Sequence, residues 1–149
     1  DVTYAAQTNV SADRSRSEIE KLLAAHGATA FGYATQAGRA VVCFVIAQRS
    51  VRIELPLPNI DDFRSTPTGR ERTDRQRLEC YDQEVRRRWR ALALVLKAKL
   101  IAVDDGISTI EREFLPDIVT ADGRRVIDVL RPQLEASRGK GMMLIPESF

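Results

Sequence analysis

The chain has 149 residues, of which 44% are apolar and 30% charged, and its net charge at pH 7 is only +2. These values suit one soluble domain with a sizeable core and exclude a global field strong enough to dictate a nucleic-acid or membrane partner. No apolar run approaches the roughly 20 residues needed to span a bilayer, and Asp1-Val-Thr-Tyr lacks the basic-then-apolar pattern of a signal peptide, so a cytoplasmic protein with no membrane partner is expected.

Residues 1–14 are polar with little periodicity and read as an extended arm. Ser15-Arg-Ser-Glu18 has the form of a capping box, and Ile19, Leu22 and Leu23 supply a buried stripe, so a helix is predicted over Arg16 to His26, ended by Gly27. From Ala28 to Leu57 the period changes to two. Phe31 and Tyr33 alternate with small residues, and Gln36-Ala-Gly-Arg39 marks a turn. Val41 to Ile46 is a short continuous apolar run, as in a strand covered on both faces, with Cys43 inside it as a small buried hydrophobe. A second tight turn near Gln48-Arg49 leads to Val51-Arg-Ile-Glu-Leu55, whose alternation leaves Arg52 and Glu54 facing solvent, and Pro56 and Pro58 end the sheet.

The segment from Asn59 to Arg77 carries Pro67, Gly69 and five arginines, and is predicted to be a long mobile loop. The longest helix is expected from about Gln76 to Val103, apolar nearly all round in its second half apart from Lys97 and Lys99. A second capping box, Ser108-Thr-Ile-Glu111, opens a helix that Pro116 shortens, Val126 to Ser137 forms a last helix, and residues 139–149 form a tail. The predicted fold class is α+β: an N-terminal helix, a three-stranded antiparallel β-meander, a long central helix and two shorter C-terminal helices. The apolar half of the long helix, or the sheet edge, is expected to mediate self-association into a homo-oligomer.

Arg88-Trp-Arg-Ala-Leu-Ala-Leu-Val-Leu-Lys-Ala-Lys-Leu100, with Val51-Arg-Ile-Glu-Leu-Pro-Leu-Pro58 and Thr66-Pro-Thr-Gly-Arg70, resembles a family of small uncharacterised proteins encoded by phages and prophages. The resemblance extends over nearly the whole chain, through Arg16-Ser-Glu-Ile-Glu20, Arg39-Ala-Val-Val42, Glu113-Phe-Leu115 and Asp122-Gly-Arg124. His26 stands where an aromatic is usual and Pro116 interrupts a segment that is usually plain helix. The resemblance implies a phage-encoded protein of the host cytoplasm and supplies no catalytic residues.

Arginine outnumbers lysine and is the better cation for forked contacts to phosphate or carboxylate. Arg64, Arg70, Arg72, Arg75 and Arg77 of the loop, with Arg86, Arg87 and Arg90 of the long helix, are the candidate phosphate contacts, and Trp89, Phe31, Tyr33 and Phe44 are candidate stacking platforms for single-stranded DNA. Glu71, Asp74, Glu79, Asp82 and Glu84 are interleaved with these arginines, so pairing on a solvated face is the competing explanation, as core packing is for the aromatics. His26, the single histidine, reads as a partner of its helix's C-terminal dipole. Lys97 and Lys99 are expected to reach the surface, and the acids Asp104, Asp105, Glu111 and Glu113 do not follow the order of a calcium loop. No nucleophile elbow, phosphate loop or zinc spacing is present. The expectation is a non-enzymatic, cofactor-free nucleic-acid-binding protein acting on single-stranded DNA, with an interaction module for a host protein as the alternative.

Overall fold

A computed structural model describes residues 2–140, so the last nine residues of the expected tail lie outside the described residues. The observed order is α1 (Val2–Ala25), β1 (Ala30–Gln36), β2 (Arg39–Ile46), β3 (Arg49–Pro56), α2 (Asp74–Asp104), α3 (Ile110–Phe114) and α4 (Val126–Ala136), with short 3₁₀ turns at Ile60–Phe63 and Leu115–Asp117. This is the expected α+β architecture.

The expected arm over residues 1–14 is instead helix, because α1 begins at Val2. No glycine or proline interrupts the chain before Gly27, and the buried positions Ala12, Ser15, Arg16, Ile19 and Leu23 recur at helical spacing. Ser15 is therefore a buried helical residue, not a cap. Among the described side chains of the expected arm only Ala12 is buried, so little apolar periodicity marks that segment as helix.

The strands form one antiparallel sheet in the order β1-β2-β3, with Tyr33 opposite Val42 and Val42 opposite Ile53. One face, carrying Val42, Phe44, Ile46, Val51 and Ile53, is buried against the helices, and Phe44 meets the buried Phe114 of α3 edge to face. The other face is open. Val41 and Val45 are half-buried and Cys43 is exposed, which corrects both the expectation of a strand covered on two faces and that of a buried thiol. The run is apolar on both sides, yet only its even-numbered residues reach the core.

The β2–β3 hairpin turns on Ala47 and Gln48, both left-handed, a conformation that hairpins of this length require and that glycine or asparagine adopts at lower cost. The expected mobile loop is instead tied to itself. Asn59 and Asp62 form a capping box, Ser65 bridges to Glu71, and Arg72 Nη1 donates to the carbonyls of Phe63 (3.2 Å) and Ser65 (2.7 Å). α2 starts two residues earlier than expected because Thr73 and Gln76 cap it reciprocally.

α1 and α2 run in the same direction over the sheet, since Arg16 lies beside Trp89 and His26 beside Asp104. His26 Nδ1 contacts the Leu22 carbonyl and Nε2 the Asp104 carboxylate, each at 2.8 Å, which requires both ring nitrogens to donate and hence favours the imidazolium. Its pKa is raised, first by the Leu22 carbonyl and then by Asp104. A raised folded-state pKa gives stability that is present below the unfolded value near 6.5 and is lost as pH rises through the folded value. The melting temperature of the wild type is accordingly expected to fall slightly from mildly acid to mildly alkaline pH. His26→Gln is expected to flatten that slope, with an effect of no more than about 1 kcal/mol because Asp104 is exposed.

Candidate functional site

The eight arginines singled out from the sequence do not converge on one groove. Arg64 pairs with Asp61 at 3.1 Å, Arg75 with Glu79 at 3.3 Å, and Arg77 with Asp74. Arg72 is spent on the two loop carbonyls. Arg87 is held in a fork by Glu84, at 2.8 and 2.7 Å, and Arg88 shares the same carboxylate while reaching the Pro56 carbonyl at 2.8 Å. The hydrogen bonds from Arg87 and then Arg88 pull the Glu84 carboxyl down to about 2, so it stays ionised and neutralises its neighbours. Arg70, Arg86 and Arg90 are exposed and carry no ion pair among the described residues.

Most of the proposed stacking platforms are not available at the surface. Trp89 is 1% exposed, Phe44 is buried, and Phe31 packs against the core. Tyr33 is 49% exposed, but the Arg16 guanidinium lies 4.4 Å from its ring centroid and 5.5 Å from that of Trp89. Arg16, itself paired with Asp13, thus serves to join α1, β1 and α2. Sequence reasoning missed it; the spacing of Ala12, Arg16, Ile19 and Leu23 was the available signal.

One surface does combine unpaired cations with exposed apolar side chains. Arg86, Arg90, Leu94, Lys97 and Ile101 follow each other at intervals of three and four along α2 and fall on one solvent-facing stripe about 22 Å long. Leu94 is 68% and Ile101 48% exposed, with the half-exposed Val95 next to Leu94. Arg86, Arg90 and Lys97 carry no ion pair among the described residues. Beside the stripe, Leu55, Pro56, Ala91, Leu92 and Val95 line a shallow groove of about 310 Å³, rimmed by Arg87 and Arg88. The sequence placed Lys97 on an apolar helix but did not reveal that Leu94 and Ile101 accompany it outward.

Lys99 reaches inward to the Glu113 carbonyl at 2.7 Å, and Asp104, Glu111 and Glu113 are shared out among His26, Arg49 and Lys99, so these acids do not gather. Among the described residues no helix is long and apolar enough to cross a membrane. Comparison with protein-family models, with characterised proteins and with solved structures gives no match to this chain.

Proposed function

We propose that this is a non-catalytic protein-interaction module, of phage origin and acting in the host cytoplasm, that docks an acidic partner protein through the outer stripe of α2. The observation that carries it is the alternation of Arg86, Arg90 and Lys97, which carry no ion pair among the described residues, with exposed Leu94 and Ile101. An acidic protein surface with apolar residues between its carboxylates satisfies both kinds of side chain at once, and the adjoining groove seats an anchoring side chain. A phosphate backbone satisfies the cations alone and leaves Leu94 and Ile101 facing a highly charged polymer.

Single-stranded DNA remains the second reading, favoured by the same unpaired arginines and weakened by the burial of Trp89 and Phe44. The two part on a capture experiment from nuclease-treated host lysate. Wild-type protein is expected to retain an acidic protein that Arg86→Glu/Arg90→Glu loses and that Leu94→Asp also loses, the latter by about tenfold or more. Retention that disappears with nuclease, or that survives both variants, would contradict the proposal.

A further inference from the structure

The two edges of the sheet are treated differently. Along β3 the free edge is covered: Val51 bridges to Ile118, Val119 N–H donates to the Ser50 carbonyl at 2.9 Å, and Arg52 reaches the Gly123 carbonyl. Along β1 no bridge is made among the described residues, and six of its seven residues are exposed. An open edge presents a row of unsatisfied backbone donors and acceptors, and proteins that remain monomeric blunt such edges with charge, proline or a bulge. Ala-Phe-Gly-Tyr-Ala-Thr-Gln36 has no charge and no proline, and its register with β2 is unbroken over the strand.

Gly32 lies near the middle of this edge, beside the exposed Cys43 on the open face of the sheet. Every other described glycine has a positive φ that accounts for it, whereas Gly32 does not, and a β-carbon there would meet nothing within 4 Å. Glycine weakens a strand interior, and here the missing β-carbon leaves bare backbone on the open face at mid-edge.

We infer that β1 pairs antiparallel with β1 of a second copy, joining two three-stranded sheets into one of six. The occupant is a second copy because a two-fold pairing of this neutral strand sets no like charges opposite each other, matches the edge in length by symmetry, and uses the commonest oligomer symmetry. The stripe on α2 is left free by this pairing, so the inference stands apart from the proposed partner.

Sedimentation velocity tests it. The wild type is expected to show a concentration-dependent dimer, and Gly32→Lys and Ala34→Lys, which place exposed like charges across the two-fold, are expected to weaken it about tenfold or more. Leu94→Asp is expected to leave the dimer intact. A spin label on Cys43 in a Cys80→Ser background reads the geometry without touching the edge: three strand spacings of ~4.8 Å put the two β2 strands about 14 Å apart. A label distance in that short range supports the pairing even if both lysine variants fail to fold. A wild type that stays monomeric at all concentrations, a dimer lost in Leu94→Asp and kept in Gly32→Lys, or labels much farther apart would overturn it.

Discussion

Trp89→Ala is expected to destabilise the protein by about 3–5 kcal/mol, the largest effect of any single side-chain truncation in the domain. Trp89 is 1% exposed, meets Tyr33 edge to face with ring centroids 6.5 Å apart, and has the Arg16 guanidinium over its ring. Truncation removes this ring from the point where α1, β1 and α2 converge, and leaves a cavity beside the guanidinium of Arg16, a residue only 7% exposed. Trp89→Phe keeps most of the apolar volume and a ring face, so its cost is expected to be well under half as large. Urea titration followed by far-UV circular dichroism measures both, since Trp89 is the chain's one tryptophan and its own fluorescence is lost. A midpoint for Trp89→Ala close to the wild type would show that the three elements hold together without it.

Arg125→Ala is expected to cost about 3 kcal/mol at neutral pH. The side chain is almost fully buried and reaches Asp128 at 3.1 Å, Asp117 at 3.2 Å and Glu54 at 3.6 Å, tying α4 and the preceding turn to β3. Removing the cation leaves three carboxylates close together with nothing between them. Burial already holds Asp117 above its ordinary pKa despite the attraction of Arg125, whereas Asp128 is held below its own by the hydrogen bond from Arg125. Without Arg125 the carboxylates gain stability by binding protons, so the penalty is expected to be greatest where all three are ionised and to shrink as pH falls through the carboxylate range. Asp117→Asn in the Arg125→Ala background is expected to recover part of the loss, and a double-mutant cycle at pH 7 and pH 4 checks both statements. Equal penalties at the two pH values would mean that Arg125 acts by packing alone.

Much of the architecture was legible because it depends on periodicity and on local turn chemistry. Val51, Ile53 and Leu55 alternate with charges, Pro116 ends α3 after one turn, and the last helix ends within one residue of its expected limit. The failures have physical causes. The first half of α1 reads as an arm in the sequence because residues 1–14 are polar with little apolar periodicity, and Ala12 is the one buried side chain described there. Val41 to Ile46 reads as doubly covered because an apolar residue on an open face cannot be told by type from one in the core.

The segment over residues 59–77 reads as mobile in the sequence because its order comes from side chains bonding to nearby backbone, as Arg72 does, which composition does not reveal. The candidate site was legible only in part. Arg86 and Arg90 were among the arginines singled out, but Arg64, Arg75, Arg77 and Arg87 have carboxylate partners three or four residues away, as the interleaved acids warned. Which arginines remained unpaired, and that Leu94 and Ile101 lie beside them, depended on how α2 is rotated against the sheet.

The proposed function turns on what the α2 stripe recognises, and a titration of isotope-labelled protein followed by amide chemical shifts addresses that directly. Two probes are compared at physiological salt: an acidic amphipathic peptide that alternates glutamate with leucine, and a single-stranded oligonucleotide of mixed sequence. The peptide is expected to move the resonances of Arg86, Arg90, Leu94, Lys97 and Ile101 in a saturable manner, with the oligonucleotide producing only weak shifts that vanish with added salt. Saturable shifts from the oligonucleotide centred on Arg64 to Arg77, with none from the peptide on α2, would contradict the account and return the nucleic-acid reading to first place.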